Sequence, residues 1–141
     1  MATHNELGKQ GEEVAKQFLI DKGYIILAEN WRSGHYEIDI VAQKFDFLSI
    51  IEVKTRSSSS FGSPQESVDQ KKMQNLIKAA HKYKTSHKLY DIGIRYEILA
   101  LTKNGNTFDI EHLEEAFDSY TAYHSEHYFR GGYAFSLRRK W

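Results

Sequence analysis

Apolar residues recur at helical spacing in the first stretch of the chain. Leu7, Val14, Ala15, Phe18 and Leu19 predict a helix over 5–22, with Gly23 closing it. The period then changes. "YIILAENW", "EIDIVAQ" and "FLSIIEVKT" read as three strands, the last two joined by the short "KFD" as a hairpin. "RSSSSFGSPQ" has no periodicity and reads as a polar loop. Ser63, Pro64 and Glu66 have the form of a capping box with proline at the first helical position. A second helix is expected from there to about Thr85, with Val68, Leu76, Ala79, Ala80 and Tyr83 on its inner face. "IGIRYEILALT", an "NGN" turn and "TFDIEHL" complete the pattern as two more strands. Helix, three strands, helix, two strands predicts an α/β protein. Its central sheet is mixed, antiparallel at the start and then linked by a crossover helix, with helices flanking it. Residues 1–117 make the domain, and the aromatic and basic segment 118–141 extends it.

Composition narrows the picture. At 141 residues, 40% hydrophobic and 27% charged, the chain has the make-up of one globular domain and not of a disordered segment. It contains no cysteine, which excludes disulfide frameworks and thiolate zinc sites and fits a reducing cytoplasm. The N-terminal stretch has no apolar signal core and no run is long enough to span a bilayer, so a cytoplasmic protein without a membrane partner is expected. Net charge is +0, so overall electrostatics announce no nucleic-acid partner. The charges are nevertheless segregated. Lys71, Lys72, Lys78, Lys82, Lys84 and Lys88 crowd one segment, and Asp109, Glu111, Glu114, Glu115 and Asp118 another.

The third strand carries the chemical anomaly. In "IIEVKTR" an acid and a base interrupt an apolar run, where an unpaired buried charge is costly. Alternation places Leu48, Ile50, Glu52 and Lys54 on one face, and Ile51, Val53 and Thr55 on the other. On the preceding strand, Glu37 and Asp39 share a face opposite Ile38 and Ile40. If the two strands pair, Asp39 lies beside Glu52, and two adjacent carboxylates repel or protonate unless a cation lies between them. Mg²⁺ or Mn²⁺ suits such oxygens, and the Val53 carbonyl is a further candidate ligand. Lys54 would then point at whatever the metal holds, an arrangement suited to a phosphodiester. On the first helix Glu12, at the edge of the apolar face, is the acid able to look toward the sheet, whereas Glu13 points to solvent. Lys72 falls within the inner face of the second helix, and Lys71, Lys78 and Lys82 form an outer stripe.

An acid in one strand followed by acid-x-Lys in the next resembles the core of the PD-(D/E)xK nuclease superfamily. A closer resemblance covers most of residues 7–117. "LGKQGEEVAKQFLIDKGYIILAENWR", "EIDIVA", "EVKTR", "FGSPQESV" and the lysine-bearing helix look like the uncharacterised bacterial family often called YraN, which is similar in fold to archaeal Holliday-junction resolvases. The resemblance implies a restriction-endonuclease-like core and hydrolysis of DNA phosphodiesters, in branched or damaged DNA. It implies metal ligation by Asp39 and Glu52, catalysis by Lys54 and a supporting acid at Glu12, and it suggests roles for Glu37 and Lys72. Arg56, Lys71 and Lys78 are candidate nucleic-acid contacts beside Lys72. A resolvase-like activity would want a two-fold homodimer, because a four-way junction is cut symmetrically. Two positions depart from the pattern: Tyr36 stands where the family usually has Gly, and Ile38 where the superfamily has proline.

Other readings of the same residues stay open. Asp39, Glu52 and Lys54 also fit a structural ion-pair network at a sheet end. Lys72 fits a lysine snorkelling to water, and the lysine stripe fits a merely soluble face. A nucleic-acid-binding or repair-complex module that does not cut is the main functional alternative. An interaction protein docking through its aromatic tail is a third. "HSEH" at 124–127 resembles a metal pair in spacing only.

Overall fold

The chain enters the fold through a capped helix. In the computed structural model, which describes residues 3–57 and 62–124, α1 spans His4–Asp21. Thr3 and Glu6 form a reciprocal capping box, each side chain taking the other's backbone N–H at 3.1 Å. Ala15 and Leu19 are fully buried and Val14 and Phe18 pack beside them, the face that periodicity marks. The strands follow as β1 (Ile25–Ser33), β2 (Tyr36–Lys44) and β3 (Phe47–Arg56). After them come helix α2 (Gln70–Ser86), strands β4 (Gly93–Asn104) and β5 (Thr107–Phe117), and the one-turn helix α3 (Ser119–Tyr123).

The five strands form one sheet in the order β1-β2-β3-β4-β5. β3 and β4 run parallel and the other neighbours antiparallel, because α2 carries the chain across between them. This is the mixed α/β sheet with flanking helices that the pattern predicts, consistent with a restriction-endonuclease-like core. Two apolar layers sandwich the sheet. On one side Leu48, Ile50, Ile98 and Leu113 pack under α2 through Met73, Leu76, Ala79 and Tyr83. On the other, Ile51, Leu99 and Leu101 pack under Ala15 and Leu19 of α1. Trp31 belongs to the α2 side and meets Tyr83 edge-on, with ring centroids 5.3 Å apart. Gly11 lets α1 lie close to β3, since a Cβ at that position would run into the Thr55 side chain.

Two details differ from the sequence expectation. The second helix does not start at Ser63. Pro64–Ser67 form a separate 3-10 turn, with Glu66 bonded back to the Ser63 N–H at 3.3 Å. The α-helix starts afresh at Asp69, whose side chain accepts the Lys72 N–H at 2.8 Å. Burial of Val68 between the two turns breaks the run. The alternation along β2 also fails at Asp39, because Ile38 packs in the α2-side core and Ile40 in the α1-side core. The position opposite Asp39 on β1 is Asn30, with φ +49°, so the ladder is irregular there. The described start of the segment after Phe117 packs on the domain: Thr121 and Ala122 are buried, and Gln74 Nε2 donates to the Ala122 carbonyl at 3.0 Å. Apart from His124, "HSEH" lies outside the described residues. Among the described residues, no helix is long and apolar enough to cross a membrane.

Candidate active site

The ladder between β2 and β3 stops at the pair Ile40–Ile51. One step further along that register, Asp39 stands opposite Glu52. Beyond Ile51 the backbone edge of β3 that faces β2 has no strand partner, and Asp39 takes up one of its groups: the Val53 N–H donates to Asp39 Oδ2 at 2.8 Å. The Val53 carbonyl belongs to the same unpaired stretch. The charge of Glu52 acts on Asp39 across the pair.

Glu52 is 3% exposed. Its Oε2 lies 3.3 Å from Lys54 Nζ and 3.5 Å from Lys72 Nζ. Lys54 comes from the next same-face position of β3, and Lys72 from the first turn of α2, where the Asp69 cap sets its backbone. Both lysines are half-exposed, with their ammonium groups at the carboxylate and part of each side chain in solvent. The Glu52 Oε1 is buried and has no hydrogen-bond partner among the described residues. Burial and the neighbouring Glu52 charge push the Asp39 carboxyl up to about 7 from its ordinary value of 3.8, against the opposing pull of the Val53 N–H and Lys72.

This donor set fits a hard divalent cation. It offers two adjacent carboxylates, one strained toward protonation and one with an oxygen left unpaired, beside an unladdered carbonyl. Asp39, Glu52 and Val53 are therefore the residues able to hold such an ion, with Lys54 and Lys72 at its rim.

The other expected residues are placed differently. Glu12 is exposed, on the helix that covers the sheet face opposite Glu52, and makes none of the hydrogen bonds or ion pairs found among the described residues. Glu37 is ion-paired with its cross-strand neighbour Arg32 at 3.6 Å. Arg56 lies two residues past Lys54 and gives a hydrogen bond to the Gly62 carbonyl at 2.5 Å, closing the base of the loop between β3 and the 3-10 turn. Lys71 and Lys78 are exposed on α2, and Lys82 rests over the Tyr36 ring at 5.6 Å. Tyr36 thus packs beneath a lysine of the outer stripe. An open groove of about 730 Å³ begins at Arg56 and runs over Ala100 and Thr102 to Asp109 and Glu111. Lys54 pairs with Ala100 and Arg56 with Thr102, so the groove adjoins the site.

A second buried acid, Glu97 on β4, is not among the residues the sequence singles out, though an acid inside "IGIRYEILALT" is the same kind of anomaly as Glu52.

Fold and site together define an α/β protein with a restriction-endonuclease-like sheet and a two-carboxylate, two-lysine centre at a frayed strand pair. Residues 11–110 match the model of the Uncharacterised protein family UPF0102, and the chain belongs to that family. It is 52% identical over 117 residues to a UPF0102 protein of Flavobacterium psychrophilum, covering 83% of this chain and 98% of that one. A UPF0102 protein of Bacteroides thetaiotaomicron is 44% identical over 117 residues, with 83% and 96% covered.

Proposed function

We propose that the protein is a metal-dependent endonuclease of the PD-(D/E)xK kind, hydrolysing phosphodiester bonds of DNA, with branched or damaged DNA as its substrate. The observation that carries this reading is Glu52: one oxygen is buried and unpaired against Asp39, while the other faces two lysine ammonium groups. A purely structural ion pair has no need of the second carboxylate, which costs free energy where it lies. Held by Asp39, Glu52 and the Val53 carbonyl, Mg²⁺ or Mn²⁺ would supply Lewis-acid polarisation of a phosphoryl oxygen. The chain's own groups do the rest. Lys72, on a helix first turn, binds a non-bridging phosphate oxygen. Lys54 Nζ orients the attacking water and stabilises the charge that grows on phosphorus oxygens as the P–O bond to the leaving sugar breaks. Arg56 and the adjoining groove hold the strand beyond the scissile phosphate.

The metal part is tested by titrating Mn²⁺ calorimetrically into the wild type and Asp39→Ala. Binding by the wild type and none by the variant is expected, and equal binding would remove the site.

A non-cutting nucleic-acid-binding or repair-complex module is the second reading. It is favoured by the separation of Glu12 and Glu37 from the carboxylate pair: among the described residues, no three His, Asp or Glu side chains converge on one point. Both readings need phosphate contacts. Lys71, Lys78 and Lys82 form the exposed stripe on α2, and each phosphate contact adds about −0.9 to the slope of log affinity against log salt on duplex DNA. The triple alanine variant is expected to flatten that slope by up to about 2.7. An unchanged slope over a salt series would move the interface elsewhere.

A further inference from the structure

The first two strands run on past the site. The ladder between β2 and β3 ends at Ile40–Ile51, whereas that between β1 and β2 continues to Ser33–Tyr36. From Ile40 to Tyr36 the strand pair extends about 13 Å beyond the last rung shared with β3. This β1–β2 hairpin is an arm without ladder bonds to β3. The Asp39 side chain ties its base to Val53 at 2.8 Å, and the two-residue loop Gly34–His35 makes its tip. Gly34 has φ +62°, the positive angle that glycine supplies at the first central position of such a loop. So short a loop fixes where the His35 side chain leaves the arm.

The tip is aromatic and its neighbourhood is positive. His35 is exposed and lies against the Tyr36 ring, with centroids 4.2 Å and planes 38° apart. Tyr36 is half-buried on the α2-side core, and the Lys82 ammonium lies over its ring at 5.6 Å. Behind it Trp31 meets Tyr83 of α2, so the helix buttresses the arm. The acids on the flanks of the arm are paired, Glu29 with Lys16 at 3.1 Å and Glu37 with Arg32 at 3.6 Å. Lys78 and Lys82 are exposed and, like His35, form no ion pair among the described residues. From Lys71, next to Lys72 of the site, to Lys82 the stripe covers about 16 Å of α2. It therefore leads from the carboxylate pair to the tip of the arm.

Phosphates suit the lysines and base faces suit an exposed ring, which is the chemistry of a nucleic-acid strand. Within an intact duplex each base face is covered by its neighbours. A ring held at an apex can stack only where a fork, gap or strand end bares one. We propose that the hairpin arm recognises a fork in DNA: His35, backed by Tyr36, stacks on the base bared where paired strands part, while Lys78 and Lys82 hold phosphates of the strand that leads to Lys72. This rests on the nucleic-acid reading above and names the substrate feature that the site selects.

The test is fluorescence anisotropy in chelator, where cutting plays no part, on a forked DNA and a linear duplex of equal length. A second fork carries 2-aminopurine at the branch. Wild type is expected to bind the fork more tightly than the duplex and to quench the 2-aminopurine. His35→Ala should weaken fork binding at least about fivefold, with duplex binding and melting temperature unchanged. His35→Phe stacks but has no charge or hydrogen bond to offer, and it should restore both the affinity and the quench. Equal losses on fork and duplex, a phenylalanine variant as weak as the alanine one, no fork preference in the wild type, or no binding of either DNA would each overturn the proposal. A His35-dependent fork preference in a protein that never cuts would remove the endonuclease reading and leave the arm standing. Cutting by the wild type without that preference would do the reverse.

Discussion

Lys54→Met is expected to fold, to keep Mn²⁺ and DNA binding, and to lose cleavage of branched DNA by on the order of 10²- to 10⁴-fold. The size follows from where the charge acts. Lys54 Nζ has one close partner, Glu52 Oε2 at 3.3 Å, and its side chain is 36% exposed, so little of the core depends on it. Methionine keeps most of the apolar stem along the strand. Lys72 still faces Glu52 at 3.5 Å in the variant, so the acid retains a cation. What disappears is a positive charge beside the place where negative charge develops during P–O cleavage, an interaction stronger in the transition state than in the ground state. Turnover should therefore fall while affinity holds. Single-turnover cleavage with protein in excess separates the two. Equal rates for wild type and variant would exclude Lys54 as a catalytic residue. If the wild type cuts no linear, nicked, flapped or four-way DNA with Mg²⁺ or Mn²⁺, the non-cutting module is the better account.

The fold was largely legible because its strands announce themselves by apolar alternation and its first helix by a 3.6-residue period. Two places resisted, each for a local reason. Ser63, Pro64 and Glu66 carry a helix-start signature, yet they begin only a 3-10 turn, since Asp69 offers a second cap and Val68 is buried between the two. The irregularity at Asn30 and Asp39 contains no glycine or proline, and Asn30, a residue type that tolerates positive φ, is its one weak mark. It is also where the candidate site is made. Strict alternation places Glu37 with Asp39, whereas the actual backbone turns Asp39 to the Val53 N–H and leaves Glu37 with Arg32. The pairing of Asp39 with Glu52 could be read from strand order alone. The burial of Glu97 with Tyr24 and His112 could not, because it joins residues far apart in sequence and no spacing rule connects them.

The strain in that carboxylate pair gives the second large effect, which bound metal offsets in part. In metal-free protein the Asp39 carboxyl sits at about 7 when folded, against 3.8 ordinarily. A raised acid value means the folded state binds the proton more tightly than the unfolded chain. The stability tied to Asp39 is therefore fully present below about pH 4. It drains away as pH rises to about 7, by about 4 kcal/mol at most, and stays lost above. Asp39→Asn keeps the shape and still accepts the Val53 N–H, but has no charge to bury beside Glu52. In chelator at pH 8 the variant should be the more stable protein, and its advantage over wild type should shrink toward pH 4. Mn²⁺ in hundredfold excess over its Kd should stabilise only the wild type, by about 2.7 kcal/mol. Wild-type Mn²⁺ affinity should weaken about tenfold per pH unit below 7, because the proton must leave before the ion enters. Denaturant unfolding of both proteins at pH 4, 6 and 8, each in chelator and in Mn²⁺, measures all of this. A variant less stable than wild type in chelator at pH 8 would mean that Asp39 is a structural partner of Glu52 and not a cation ligand held in readiness.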